Sequence, residues 1–243
     1  MNENVLRNIL KEYLDVPHIN QLSFLIRYVL DEDHKETITL LSHASKILLN
    51  IIKNRLQGKI EGQLGKEQFG FRRERRTREA ILALRLIIER RLDVNLPTYI
   101  TFIDLEKAFD KIDWFLLFGI LKRKGIDWKN RRIILRLYKD QPTLIDINGT
   151  IKEAKIRKCV RQGCPLSPYL FNLFMEEAIE EMKEVTNSVR INGEVVHSIR
   201  FADDIALVAE SEDSMNLMLN ILSWVMDKFH MKINATKTKT MTA

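Results

Sequence analysis

The stretch Ser198-Ile199-Arg200-Phe201-Ala202-Asp203-Asp204-Ile205-Ala206-Leu207-Val208-Ala209 sets two short β-type runs on either side of adjacent carboxylates. So few residues between two strands predict a β-hairpin with its acids at the tip. Asp is also an ordinary turn residue, so a solvated hairpin tip is the competing account. A third acid in a similar setting changes the weighing. Tyr99-Ile100-Thr101-Phe102-Ile103 is a β-branched and aromatic run that ends on Asp104, ahead of the helical pattern Leu105-Glu106-Lys107-Ala108-Phe109. Alone, Asp104 could equally be a helix N-cap. Were Asp104 to approach the hairpin, each like-charge pair would cost roughly 4 kcal/mol at about 4 Å and an effective dielectric near 20. Divalent cations would offset that repulsion, and oxygen-only ligands favour Mg²⁺. Two such ions can clamp the attacking and leaving oxygens of an in-line phosphoryl transfer.

Composition narrows the classes. The 243 residues, 45% of them hydrophobic, can supply the core of one large domain or two small ones, which argues against disorder. No apolar run approaches the eighteen or so residues of a membrane span, and the N-terminus, with Glu3 and Arg7 in its pattern, does not read as a signal peptide. A soluble intracellular protein with no membrane partner is expected, with nucleus or cytoplasm left open. Cys159 and Cys164 are the only cysteines and have no His or Cys neighbour at zinc-site spacing, which argues against zinc and thiol chemistry. The net charge is +6, but it is concentrated. Residues 51–91 hold twelve Lys or Arg against five Glu, densest at Arg72-Arg73-Glu74-Arg75-Arg76-Thr77-Arg78. A solvated helix face and a phosphate-binding surface both fit such a run, and only the second predicts strongly salt-dependent binding.

Three segments together resemble motifs A, B and C of the reverse transcriptases of non-LTR (LINE-like) retrotransposons. They are Phe102-Ile103-Asp104-Leu105-Glu106-Lys107-Ala108-Phe109-Asp110, Arg161-Gln162-Gly163-Cys164-Pro165-Leu166-Ser167-Pro168-Tyr169-Leu170-Phe171-Asn172, and Phe201-Ala202-Asp203-Asp204. The resemblance covers roughly residues 38–241. It implies an α+β fold, a right-hand polymerase palm with an antiparallel sheet, helices on one face and a ferredoxin-like core, plus partial helical fingers and no thumb within this sequence. The corresponding division is 1–36 as an N-terminal helical extension, 37–98 as partial fingers and 99–243 as palm, with a return to the fingers at about 143–158 left open.

The resemblance also implies roles. Asp104, Asp203 and Asp204 would hold two Mg²⁺ ions, Mn²⁺ being an alternative, with the Leu105 backbone as an extra ligand. Phe109 would be a steric gate against a ribose 2′-hydroxyl, core packing being its other account. Gln162 and Gly163 would bear on the template and incoming base, and Lys237, in the motif D-like Met231–Lys239, would protonate the leaving pyrophosphate. Glu67-Gln68-Phe69-Gly70-Phe71-Arg72 resembles the second fingers motif, with Arg72 as the lead nucleic-acid contact. Glu36-Thr37-Ile38 departs from the family's usual Arg-Pro-Ile, and an acid there would repel phosphate. The expected partners are an RNA or DNA template with primer and deoxynucleoside triphosphates. The expected activity is Mg-dependent, RNA-directed DNA polymerisation, weak and distributive; the alternative is a catalytically inactive retroelement remnant that binds nucleic acid or acts as an interaction scaffold.

Local patterns predict further elements. Apolar spacing places helices at Val5–Leu14 and Leu22–Leu30, at Ser42–Leu56, and after Thr77 with Ile81, Leu84, Ile87 and Ile88 inward. Further helices are expected over Trp114–Lys124, over Asp127–Asp140, from Ser167 and from Ser211, with Trp114 and Trp128 as packing residues. Asn148-Gly149 and Asn192-Gly193 each predict a tight hairpin.

Overall fold

The computed structural model describes residues 43–139, 143–147, 150–154, 158–161 and 163–243. The two expected N-terminal helices, Glu36, Leu40-Leu41, the expected Asn148-Gly149 turn and Gln162 lie outside the described residues. Helix α1 (His43–Glu61) runs past its predicted end and buries Leu49, Ile52, Leu56 and Ile60, one stripe at helical spacing. Helix α2 is Thr77–Leu92 and strand β1 is Tyr99–Ile103. Three helices follow: the single turn α3 (Ala108–Lys111), α4 (Trp114–Arg123) and α5 (Trp128–Lys139). Asp113 caps α4 by accepting from the amides of Phe115 and Leu116, and Asp127 receives the Asn130 amide at the start of α5. Strands β2 (Thr143–Ile147) and β3 (Thr150–Ala154) pair across the predicted turn. Next come α6 (Ser167–Lys183), the hairpin of β4 (Val189–Ile191) and β5 (Glu194–Val196), then β6 (Ser198–Phe201) and β7 (Asp204–Ala209). Asn192 and Gly193 both have positive φ, 51° and 84°, as the tight turn between β4 and β5 requires. Helix α7 (Glu212–Lys228) starts on Ser211, whose hydroxyl accepts from the Ser214 amide. Strand β8 (Lys239–Thr242), which no sequence pattern announced, closes the chain.

The main sheet is antiparallel, in the order β6-β7-β1-β8. Side chains alternate across it. Ile103, Ile205, Leu207 and Ala209 point into the large core built by α1, α4, α6 and α7. Ile199 and Val208 point to the opposite face, where Ala80 and Ile87 of α2 meet them. The palm helices therefore pack on one face of the sheet, and α2, from the segment expected as fingers, covers part of the other. The α2 stripe also differs from prediction: Ala80, Ile87 and Arg91 are buried while Ile81 is exposed. Rotating the helix by one residue lets the small Ala80 approach the sheet, at the cost of leaving Ile81 in solvent. Trp114 packs against the core and donates its indole N–H to the Cys159 carbonyl, but Trp128 is 57% exposed and lies under the Arg132 guanidinium. Among the described residues no helix is long and apolar enough to cross a membrane.

Beneath β6 lies an ion pair removed from solvent. Arg200 and Glu176 of α6 are each 1% exposed, and Arg200 Nη2 donates to both Glu176 oxygens at 3.1 Å. Glu67 stands 3.9 Å from the same guanidinium and 2.9 Å from Lys183 Nζ. Burial pushes the Glu67 carboxyl up, but the hydrogen bond and charge of Lys183, with Arg200, hold it below its ordinary value. Removing one member of a buried pair leaves the other desolvated and uncompensated. Arg200→Met should therefore destabilise the fold by about 3–5 kcal/mol in denaturant unfolding, and adding Glu176→Leu should restore a large part of that loss.

Candidate active site

The register of β1 on β7 determines which acids meet. Ile103 pairs with Ile205, so the next position outward sets Asp104 opposite Asp204. Alternation puts both on the partly uncovered face, beyond Phe102 and Ala206. Burial pushes the Asp204 carboxyl above its ordinary value, and the Asp104 charge pushes it the same way. Asp203 sits in the two-residue turn between β6 and β7, with Ala202 before it in the left-handed region at φ 59°. The structure thus brings Asp104 and Asp204 together, while Asp203 rides on the turn beside them. Among the described residues no three His, Cys, Asp or Glu side chains are gathered closely enough to hold a metal ion. The paired carboxylates fit a hard divalent cation of the kind held by one or two carboxylates plus substrate phosphates.

The segment after β1 is tied to the motif D-like loop. Asn234 donates its amide to the Asp104 carbonyl at 2.8 Å, and Glu106 donates to the Lys232 carbonyl at 2.8 Å. These bonds flank the Leu105–Ile233 bridge, which leaves the Leu105 carbonyl on the edge away from that loop. The Asn234 side chain receives the amides of Thr236 and Lys237, and the loop so organised places Lys237 Nζ 3.7 Å from Asp104 Oδ2. Phe109 stacks on Phe171 of α6, centroids 4.4 Å apart at 7°, and meets Phe71 edge-on at 6.2 Å and 87°. Its ring is partly buried and packs against the core. Gly163 is exposed with φ 85°, the backbone freedom a loop opening α6 requires.

Arg72 is turned inward. Its side chain is 7% exposed, its Nε and Nη2 bond Glu61 at 2.6 Å, and Nη1 bonds the Gly65 carbonyl at 2.6 Å. Arg75 likewise bonds the carbonyls of Lys66 and Gln68 and lies over the Phe69 ring. Arg73, Arg76 and Arg78 are the exposed cations of this run.

Sequence reading passed over the residues that back the hairpin. Gln68 is fully buried, and its side-chain oxygen accepts from the amides of Gly70 at 2.8 Å and Ala202 at 3.1 Å. The backbone joins the same two segments, since Arg200 N donates to the Glu67 carbonyl and Phe69 N to the Arg200 carbonyl. Asn172 of α6, also fully buried, donates to the Gly70 carbonyl at 2.8 Å. A Cβ on Gly70 would lie 2.1 Å from the Ala202 nitrogen, so no other residue permits this approach. One signal was available: Asn172 and Glu176, one helical turn apart inside an apolar stretch of α6, with Arg200 inside an apolar strand.

This sheet, with acids at adjacent ends of its two central strands, is a polymerase palm. The same fold is found in the structure of apo telomerase from Candida tropicalis truncated from its C-terminal domain, at TM-score 0.64 and 15% identity over 80% of this chain and 40% of that one. Residues 32–243 match the family described as reverse transcriptase (RNA-dependent DNA polymerase), and the chain belongs to that family. Its relatives include the Pol polyproteins of type-1 retrotransposable element R2 from Popillia japonica, 30% identical over 83% of this chain, and from Nasonia vitripennis, 32% identical over 56%. The chain spans 28% and 13% of the lengths of those two proteins. These are non-LTR retrotransposon polyproteins, the group its motifs resemble. Reverse transcriptases generally use a divalent metal.

The raised Asp204 carboxyl has a consequence for stability. A proton is held more tightly in the folded state than in the unfolded one, so the unfavourable contribution is absent below the unfolded pKa and grows as pH rises through the folded one. In metal-free buffer at neutral pH, Asp204→Asn should therefore raise the melting temperature slightly. That gain should shrink toward zero as pH is lowered below the ordinary Asp range, which a series of thermal melts would read.

Proposed function

We propose that this chain is an RNA-directed DNA polymerase domain that extends a primer 3′-hydroxyl with deoxynucleotides. The observation that carries the reading is the placement of Asp104 opposite Asp204 at the ends of the two central strands of a palm sheet, in a chain of the reverse transcriptase family. The primer 3′-oxygen forms a bond to the α-phosphorus, the bond from that phosphorus to the bridging oxygen of pyrophosphate breaks, and the hydroxyl proton passes to solvent water. Asp104, Asp203 and Asp204, with the Leu105 carbonyl, are the groups that would hold two Mg²⁺ ions. When bound, the ions supply charge neutralisation and alignment of the transferring phosphoryl group.

The remaining roles fall to this chain's own residues. Phe109, braced by Phe171, bars a 2′-hydroxyl, and Gln162 and Gly163 bear on the template and the incoming base. Lys237, beside Asp104, gives a proton to departing pyrophosphate. Residues 37–98 serve as partial fingers and 99–243 as palm. Arg72 supports nucleic-acid binding by ordering the Gly65–Gln68 turn, while exposed Arg73, Arg76 and Arg78 contact phosphates. A second reading, an inactive remnant that retains nucleic-acid binding, draws on the absence of a gathered three-carboxylate cluster among the described residues.

Single-nucleotide extension of a labelled primer on an RNA template with Mg²⁺ decides between them. The wild type should extend and lose all extension with EDTA, and Asp104→Asn or Asp204→Asn should each lower the rate by at least about 10²-fold. No extension by any variant, with template binding intact, would favour the remnant. Phe109→Ala should raise ribonucleotide use relative to deoxynucleotide by about tenfold or more. Arg73→Ala should lower the slope of log binding against log salt by about one unit, a loss that a filter-binding series at several salt concentrations would measure.

A further inference from the structure

The hairpin that carries two of the acids is held in a conformation its own sequence does not favour. Ala202 has φ 59°, in a region where a side chain crowds its own backbone, and it stands at the first central position of a two-residue turn where Gly is the usual occupant. A strained residue persists only where its surroundings over-determine it. Those surroundings are a single side chain and the backbone beside it. The Gln68 oxygen accepts from the Ala202 amide at 3.1 Å and from the Gly70 amide at 2.8 Å, and its Nε2 donates toward the Ala202 carbonyl at 3.5 Å. Gly70, pinned by Asn172 at 2.8 Å, lies flat against Ala202 in a gap that no Cβ could enter.

We propose that Gln68 is a positioning residue of the polymerase site, its buried amide fixing the strained Ala202 and thereby the placement of Asp203 and Asp204 opposite Asp104. Gln68 touches neither substrate nor metal; it acts through the turn. The geometry explains why a fully buried amide is spent here rather than an apolar side chain. Methionine would fill the same volume, but it would leave the Ala202 and Gly70 amides buried with no acceptor, and the turn could then relax by rotating Asp203 and Asp204 away from Asp104. Misplacement of reacting groups by about 1 Å can cost about 10²-fold in rate.

The inference rests on the polymerase reading for its effect on rate, and its test includes a readout that does not. Amide hydrogen exchange comes first, on the wild type without metal or substrate. Ala202 should exchange at least about tenfold more slowly than an open turn amide, and exchange at the open-turn rate would overturn the clamp. In Gln68→Met, protection should fall at residues 202–204. Leu222→Ala, a core variant of α7 that leaves Gln68 and the hairpin sequence intact, serves as a destabilised control in which those residues keep their relative protection. Equal loss in both variants would reduce Gln68 to a stability residue. In single-nucleotide extension, Gln68→Met should lower kcat by about 10- to 100-fold and raise the Mg²⁺ concentration for half-maximal rate several-fold, with KM for the nucleotide within about twofold of wild type. An unchanged kcat and Mg²⁺ dependence would overturn the proposal. A wild type that never extends a primer refutes the polymerase reading, and the exchange comparison then still decides the clamp.

Discussion

The register of β1 on β7 is the constraint on which everything else rests. Side chains alternate with a period of two, so a slip of one residue would turn Asp104 toward the core and expose Ile103. Ile103, Ile205 and Leu207 hold the register, each worth roughly 1.5–3 kcal/mol when buried. The repulsion between Asp104 and Asp204 is relieved on its open side by solvent and is the smaller term. The fold can therefore oppose two carboxylates because apolar burial one residue inward decides the pairing. The tie from Asn234 to the Asp104 carbonyl adds a second restraint on the same acid from the other edge of β1.

Behind the hairpin the core is polar, and that is expensive. The Arg200–Glu176 pair has given up water on both sides, and an apolar replacement of similar volume would be neutral or stabilising in many proteins. What such a pair supplies is direction. Residues 65–70 contribute carbonyls and Gln68, α6 contributes Asn172 and Glu176, and β6 contributes Arg200. Each donor has a limited choice of acceptor, so these segments lock in one arrangement where hydrophobic contact alone would allow several. Helix α6 connects this frame to the loop at Gly163 and to the Phe109 ring, so one rigid rod spans the groups assigned to nucleotide and to acid placement.

Much of this was legible in the sequence. The two acid-bearing strands, the Asn192-Gly193 turn and the starts of α4, α5 and α7 follow from local rules about alternation, positive φ and helix-start residues. Strand β8 was hidden because Lys239–Thr242 has no alternation to read; its partner β1 supplies the order. The face of α2 was misjudged because periodicity identifies a stripe only to within about one residue, and the small Ala80 decided which side could approach the sheet. Aromatic residues favour burial, so the sequence predicts packing for Trp128, yet its helix turns it outward. The clamp was invisible for a different reason: Gln68 and Ala202 are far apart in the chain, and neither belongs to a pattern with a period. Arg72 shows the same limit in reverse, since a basic run announces charge but not which of its members will be consumed by carbonyls nearby.

The two cysteines carry a practical consequence. Burial and the Asp110 charge push the Cys159 thiol up to about 11, and Cys164 is 3% exposed. The thiolate is the reactive form, so at neutral pH Cys159 is almost wholly the inert thiol, and Cys164 is shielded from reagents. A single cysteine introduced on an exposed arginine of the basic run, such as Arg73, would be the one readily alkylated sulfur among the described residues. A fluorophore or spin label could thus be placed beside the proposed path of nucleic acid without first replacing Cys159 and Cys164.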